Sequence, residues 1–254
     1  MNKIYNQILQ NKEENRKMIA VLLDPDQCRG SLLASTIAAL KSNVPDFIFV
    51  GGSHALASTD SLIELLKEET KARIVLFPGN ASQFSTKADA LLYLSLLSGR
   101  NAEFLIGQHI TSAIAIKKSE IEVIPTGYIL IDGGKPSSVE YISNTRPIPS
   151  DKKAIALSTA IAAELLGMKL IYLEAGSGAD FPVTSDLIET VKSGLNIPLI
   201  VGGGIKSVEQ LTMAFDAGAD LVVVGNIFES YPTKIAQFVE CTFNFNQENG
   251  MFID

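Results

Sequence analysis

Short runs of consecutive hydrophobic residues recur along the whole chain. Each run is apolar at successive rather than alternate positions, which is typical of strands buried on both faces of a parallel sheet. Most runs are followed by a segment whose apolar residues have helical spacing, so strands and helices alternate. The eight predicted strands lie within residues 18–26, 47–53, 73–80, 90–99, 127–134, 170–178, 198–205 and 221–226.

This alternation predicts an α/β fold, a (β/α)8 TIM barrel formed as a single domain by residues 1–254. A doubly wound open sheet is the alternative. The connection between the third and fourth runs, residues 78–89, is short and opens with Pro-Gly-Asn, so it cannot contain a crossover helix of usual size. We therefore predict a modified barrel in which the helix after strand 3 is replaced by a short extended segment, leaving the side wall open there.

Two local signals refine the connections. Ser207, followed by Glu209 and Gln210, predicts the start of a helix, and Gly218 predicts its end. The polar stretch 133–152 follows the fifth strand and is rich in proline. Because helical and strand patterns resume directly after it, we predict an ordered loop over the mouth of the barrel rather than a linker.

Composition and charge exclude several classes of protein. Net charge is −7 and the basic residues are scattered singly, so there is no basic stripe for nucleic acid. The N-terminal stretch has no hydrophobic signal region, and no apolar run approaches the roughly 20 residues of a membrane span. Cys28 and Cys241 lie far apart and form no CxxC pair, so His54 and His109 cannot build a zinc site with them. These features predict a cytoplasmic protein.

Glycine follows two neighbouring predicted strands, at the ends where barrel enzymes build their active sites. Gly202-Gly203-Gly204 and Gly225-Asn226 leave backbone N–H groups open to close approach, and a helix starts soon after the triplet. A glycine triplet alone is consistent with a tight turn. Two glycine-rich ends on adjacent strands favour a phosphate site.

Acids also lie at the strand ends. Asp24 and Asp26 flank a proline, which is consistent either with a turn or with a Mg²⁺ site that takes one or two carboxylates. Ser53, at the end of the second strand, could supply a further oxygen. Asp132 ends the fifth strand on the same rim, without an assigned role.

Glu174 ends the sixth strand, directly before a loop of Ala, Gly and Ser. A carboxylate there is costly unless it is hydrated, paired or functional. It can accept loop N–H groups in a structural role, or accept a proton from a substrate hydroxyl beside the phosphate site. Tyr172 lies two residues earlier and so shares its face of the strand. The following "GSGADF" only half-matches a GxGxxG loop and carries little weight.

Taken together, "LLDPD", "FVGGS", "FLIGQH", "YLEAGSG", "VGGGI" and "VVGN" resemble the motifs of the geranylgeranylglyceryl phosphate synthases, in order and spacing, over residues 18–230. The chain is more similar to the archaeal-type branch than to the shorter bacterial heptaprenylglyceryl phosphate synthases. The resemblance implies a TIM barrel with one helix replaced. It also implies Mg²⁺-dependent transfer of a polyprenyl group, geranylgeranyl in the family's name, from its diphosphate to the C3 hydroxyl of sn-glycerol 1-phosphate, the first step of ether-lipid synthesis.

By the same resemblance, Asp24 and Ser53 bind the metal, and Glu174 and Tyr172 are catalytic, with Glu174 as the base. The residues implied to bind sn-glycerol 1-phosphate are Tyr172, Leu173, Glu174, Ala175, Gly176, Ser177, Gly178, Gly203, Gly204, Gly225 and Asn226. The apolar prenyl tail would lie along "ALLYLSLL" (residues 90–97), in the open side wall. A homo-oligomer, dimer or hexamer, and peripheral membrane contact through the lipid product are further expectations.

Two departures from the family pattern concern cations. Leu22 stands where the shorter bacterial enzymes carry a lysine, and Gln27 stands where many relatives are expected to have one. Two other functions stay open at this point. One is a different phosphate-binding barrel enzyme, such as a sugar-phosphate isomerase or a flavin oxidoreductase. The other is a non-catalytic barrel that acts as a scaffold.

Overall fold

The strands close into one parallel barrel, in which each strand pairs with its neighbours in sequence and β8 pairs with β1. This computed structural model describes residues 3–53 and 57–250. The strands are β1 (Met18–Leu23), β2 (Phe47–Val50), β3 (Arg73–Leu76), β4 (Ala90–Leu96), β5 (Glu122–Leu130), β6 (Leu170–Glu174), β7 (Leu199–Gly202) and β8 (Leu221–Val224). The predicted barrel is confirmed, and the open sheet is excluded.

Helices surround the barrel, and α1 lies at its N-terminal end. They are α1 (Lys3–Glu13), α2 (Gly30–Ser42), α3 (Thr59–Glu69), α4 (Gln108–Ser119, preceded by a π-helical turn, Glu103–Gly107), α5 (Ser138–Ser143), α6 (Lys153–Leu165), α7 (Ser185–Ser193), α8 (Val208–Asp216), α9 (Asn226–Ser230) and α10 (Lys234–Glu248). Ser207 caps α8 as predicted, accepting the N–H of Gln210, and Gly218 follows its end with a φ of 104°. Across residues 3–53 and 57–250, no helix combines the length and the apolar character that crossing a membrane would require.

Every strand is buried on both faces, which explains the continuous apolar runs. Side chains such as Phe47, Phe49 and Tyr172 fill the interior of the barrel. Their neighbours in sequence, such as Ile48 and Leu173, pack outward beneath the helices. This alternation places Tyr172 and Glu174 on the inner side of β6.

The barrel wall is open between β3 and β4, where the helix was predicted to be missing. The connecting residues contain only a short 3-10 turn, Ala81–Gln83, within the part of the chain described. The strands pair there through Val75–Ala90 and Leu76–Leu91, whereas β4 pairs with β5 along its whole length. Since the chain leaves β3 after Leu76, the upper part of β4 has no strand partner on that side among these residues.

One predicted strand start was wrong, and one predicted loop contains a helix. β5 begins at Glu122 rather than near residue 127. The hydrophobic pattern missed this start because the first residues of the strand include a charge and Pro125. Glu122 accepts the backbone N–H groups of Ile4 and Tyr5, and so fixes α1 against the N-terminal end of the barrel. The stretch 133–152 does lie over the mouth, but it contains α5 rather than loop alone.

Candidate active site

The strand ends selected from the sequence do meet at one place, the C-terminal mouth of the barrel. Their residues share a single cavity, which we call the mouth cavity. The predicted site residues that line it are Asp24, Ser53, Tyr172, Glu174, Ser177, Gly178, Gly203, Gly204, Gly225 and Asn226.

Glu174 lies at the centre of this cavity, and its side chain is only 6% exposed. The N–H of Gly176 donates to its Oε1 at 2.8 Å. Burial raises the pKa of Glu174 to about 7, although the Gly176 N–H and the neighbouring Tyr172 hydroxyl oppose the shift. A carboxyl group with this pKa is suited to accept a proton near neutral pH.

Tyr172 is fully buried beside Glu174. Its hydroxyl makes no hydrogen bond of good geometry within the described chain. Burial, and then the Glu174 carboxylate, raise its pKa well above the ordinary value, so it stays a neutral donor. A Cβ at Gly202 would overlap this hydroxyl, and one at Gly203 would overlap the Glu174 carboxylate. These glycines therefore make room for the two functional groups.

Three loops bring main-chain donors to the cavity. The N–H groups of Ser177, Gly204 and Gly225 have no acceptor within the ranges 3–53 and 57–250. The loops are tied together by Asn226, whose Oδ1 accepts the Ser177 hydroxyl at 3.1 Å and the Gly178 N–H at 2.8 Å. Unpaired N–H groups in a partly buried loop need an acceptor, and a phosphate provides one.

Three predicted binding residues take a different place. The side chains of Leu173 and Ala175 pack in the outer core, because they alternate with the inward residues of β6. The N–H of Gly176 is already taken by Glu174. The loop therefore serves two purposes, since one part fixes the acid and another part offers free donors.

The two acids of "DPD" have separate roles. Asp24 faces the mouth cavity, where a Cβ at Gly52 would overlap its Oδ2, and burial is the main cause that raises its pKa. Asp26 instead accepts the N–H of Ala57 at 2.8 Å and forms an ion pair with Arg29. Asp26 therefore braces the loops, and Asp24 is the acid that faces a ligand.

The donor set at the mouth fits Mg²⁺. Three carboxylates line the cavity, those of Asp24, Glu174 and Glu229, while Lys206 is the one lysine or arginine that does so among the described residues. No group of three or more His, Cys, Asp or Glu side chains suitable for a metal occurs in that part of the chain. Mg²⁺ needs no such group, because it uses one or two carboxylates and completes its shell with water and phosphate oxygens.

Glu229 and Lys206 were not identified from the sequence. Glu229 lies on α9, one helical turn after Asn226, and its pKa is raised first by burial and also by Asp24. Lys206 follows the glycine triplet, and its Nζ is 3.4 Å from the carbonyl oxygen of Asp180. The sequence did contain a signal that could have identified Glu229 and Lys206, because each follows a glycine-rich strand end by a few residues.

A second, apolar cavity extends from the mouth down the open wall, and we call it the wall groove. One side is the unpaired part of β4, as predicted, including Leu92, Leu94 and Leu96. The other side comes from Phe104 and α4, which the sequence did not indicate. The residues that line both the groove and the mouth cavity are Gly52, Ser53, Phe77, Tyr128, Val139 and Ile142.

Asp132 and His109, both noted in the sequence, lie apart from Glu174 and the phosphate donors. Asp132 is exposed and its Oδ1 accepts the N–H of Gly134, so it closes a turn. His109 packs edge-on against Tyr93 in the wall groove, where burial lowers its pKa and keeps it neutral. His54 lies outside the described residues.

Comparison with known proteins gives a consistent result. The sequence model of the PcrB family matches residues 9–242. The chain is 49% identical over 240 residues to a geranylgeranylglyceryl phosphate synthase from Chitinophaga pinensis, covering 94% of this chain and 95% of that protein. It is 40% identical over 230 residues to a protein of the same name from Korarchaeum cryptofilum, with 90% and 94% covered.

A solved structure extends this similarity to the fold. It is a crystal structure of (S)-3-O-geranylgeranylglyceryl phosphate synthase from Thermoplasma acidophilum in complex with its substrate sn-glycerol-1-phosphate. The TM-score is 0.87 at 33% identity, with 98% of this chain and 99% of that chain covered.

Proposed function

The chain belongs to the PcrB family and is a prenyltransferase of the geranylgeranylglyceryl phosphate synthase type, and on that premise we propose how its mouth carries out the reaction. The acceptor is sn-glycerol 1-phosphate. Its C3 oxygen forms a bond to C1 of a polyprenyl diphosphate, geranylgeranyl diphosphate in the first instance. The bond from C1 to the diphosphate oxygen breaks, and diphosphate leaves. We propose that this is the first step of ether-lipid synthesis.

One observation carries the proposal: a buried acid and unpaired main-chain donors share a cavity that continues into an apolar groove. An acceptor with one charged end and one reactive hydroxyl fits the mouth cavity. A long hydrocarbon tail fits the wall groove. A sugar-phosphate isomerase or a flavin oxidoreductase has no use for such a groove.

The acceptor is oriented by the main chain. The N–H groups of Ser177, Gly204 and Gly225 bind its phosphate, and Tyr172 donates to a glycerol oxygen. Glu174 takes the proton of the C3 hydroxyl as the new C–O bond forms. Holding acceptor and acid together in one cavity also contributes through proximity.

The donor diphosphate lies nearer to β1 and β2. Asp24 and Ser53 would hold Mg²⁺ there, and Lys206, after β7, lines the same cavity and could contact a phosphate oxygen. When bound, the ion neutralises the charge that builds up on the leaving diphosphate. A homo-oligomer, a cytoplasmic location and membrane contact through the lipid product stay predictions.

Labelled sn-glycerol 1-phosphate tests the function directly. The purified protein is incubated with prenyl diphosphates of graded length, with Mg²⁺ or with a chelator, and the lipid-soluble label is measured. We expect label in the lipid phase for at least one length, and its loss with the chelator. If no length gives lipid-soluble product, the transferase proposal is wrong, and a yellow preparation would favour a flavin enzyme.

A further inference from the structure

The proposed reaction creates positive charge at one place. When the C1–O bond to diphosphate breaks, its electron pair leaves with the diphosphate, and the allylic carbons are positive until the glycerol oxygen supplies a new pair. C1 must lie between the acceptor at Glu174 and the tail in the wall groove. The residues that line both cavities therefore surround the developing cation.

Aromatic rings occupy this junction. Phe77 and Tyr128 line both cavities, and Tyr172 lines the mouth cavity. The ring centroids of Phe77 lie 5.2 Å from Tyr172 and 6.0 Å from Tyr128, and those of the two tyrosines are 5.3 Å apart. The strand register fixes this cluster, because Tyr128 of β5 is paired with Tyr172 of β6.

Resting on the proposed function, we propose that Phe77, Tyr128 and Tyr172 are catalytic residues whose rings stabilise the allylic cation. The face of an aromatic ring carries partial negative charge and attracts a cation within about 6 Å of its centre. The interaction is strongest away from water, and Tyr128 and Tyr172 are 7% and 0% exposed.

Rings suit this position better than further acids would. A carboxylate in contact with C1 would attack it and form an ester, whereas a ring face stabilises charge without forming a bond. A phenolate would also be a competing nucleophile. Burial raises the pKa of both tyrosines well above the ordinary value, so both stay neutral.

Replacing rings by alkyl groups gives a first test. Phe77→Leu and Tyr128→Leu should each lower kcat roughly tenfold, with KM for the prenyl diphosphate little changed, because the interaction exists only in the transition state. Tyr128→Phe, which keeps the ring, should lose less than Tyr128→Leu. Phe47→Leu is the matched control, since Phe47 is buried in the same barrel interior but lines neither cavity. Equal losses of kcat in Phe77→Leu and Phe47→Leu would overturn the proposal.

Graded fluorination of the ring separates charge from packing. Phenylalanine with one, two or three ring fluorines is incorporated at position 77, which weakens the negative ring face with little change of shape. We expect log kcat to fall steadily with the number of fluorines. If kcat does not change along the fluorine series in an active enzyme, the proposed role of the rings is wrong, but the proposed function still stands. If the unsubstituted protein forms no lipid product, the proposed function itself is wrong.

Discussion

The two ends of the barrel contain acids that differ in their partners. At the N-terminal end, three aspartates directly precede strands. Each accepts a backbone N–H from the adjacent strand and forms an ion pair with a basic side chain. These sets are Asp46 with Ile19 and Arg16, Asp89 with Ile74 and Lys67, and Asp220 with Leu199 and Lys192. At the C-terminal end, Asp24, Glu174 and Glu229 form no ion pair with any described residue.

Exposure alone does not distinguish the two groups. Asp220 is 4% exposed and Glu174 is 6% exposed. Their partners differ, because Lys192 lies 2.5 Å from Asp220, while Glu174 receives one loop N–H at 2.8 Å. The three aspartates of the N-terminal end hold strands together, whereas Asp24, Glu174 and Glu229 have no ion pair among the described residues and can meet a ligand. The comparison teaches that partnering, rather than burial, separates structural from functional acids.

The largest effect is expected on turnover. Glu174→Gln keeps the shape of the side chain and removes the base, so kcat should fall by roughly 10²–10⁴-fold. Steady-state assays on protein with an unchanged circular dichroism spectrum measure this. Turnover within threefold of the original would show that Glu174 is not the base.

The opposite end should respond in stability instead. Asp220→Asn breaks a partly buried ion pair and should lower the free energy of unfolding by up to about 3 kcal/mol, with kcat per folded molecule unchanged. Denaturant titration measures the change. Asp186→Asn, in an exposed pair with Lys153, is the matched control and should change stability by less than about 1 kcal/mol. Equal effects of the two variants would break the comparison.

Ionisation of the buried Glu174 should also lower the free energy of unfolding. An unfolded chain loses this proton near the ordinary pKa of 4.5, whereas burial raises the pKa of Glu174 in the folded protein to about 7. The stability contributed by the neutral acid is therefore present below pH 4.5 and is lost as pH rises through 7, by at most about 3 kcal/mol.

Glu174→Gln cannot ionise, so it should be more stable than the original protein at about pH 8 and equal to it at about pH 4. Thermal unfolding of both proteins at the two pH values measures the difference. Identical melting temperatures at about pH 8 would mean that ionisation of Glu174 carries no cost in the folded state.

The smallest effect concerns the pH dependence of the reaction. Because the pKa of Glu174 is about 7 and the base must be ionised, kcat/KM should fall about tenfold for each pH unit below that value. The residual activity of Glu174→Gln should lack this limb. A flat profile between about pH 5.5 and 8 in the unsubstituted protein would assign the proton to another group.

The fold was largely predictable because every strand lies between an inner and an outer apolar layer. Each strand therefore appears in the sequence as a continuous run of hydrophobic residues. The start of β5 escaped this rule, since Glu122 caps α1 and Pro125 interrupts the pattern. A residue such as Glu122 is required by its contact with another element rather than by the strand itself, so a pattern local to the strand cannot identify it.

The site was predictable where chemistry shows in the residue type. Glycines and acids at strand ends indicated the mouth, because the topology brings those ends together. Phe77 and Tyr128 were missed, since an aromatic residue in a strand has the same pattern whether it fills a core or faces a ligand. The α4 side of the wall groove was missed because it depends on how a helix packs in three dimensions.

The gap between β3 and β4 affects how a substrate can be loaded. Since β4 has no strand partner above Leu91 on that side among the described residues, a long hydrocarbon can enter laterally together with its charged head once the Ala81 N–H separates from the Gln108 side chain, and need not be threaded through the mouth end first. With lateral entry, we expect the rate of association to depend little on the number of isoprene units. The finished lipid can leave by the same slot without unfolding any strand.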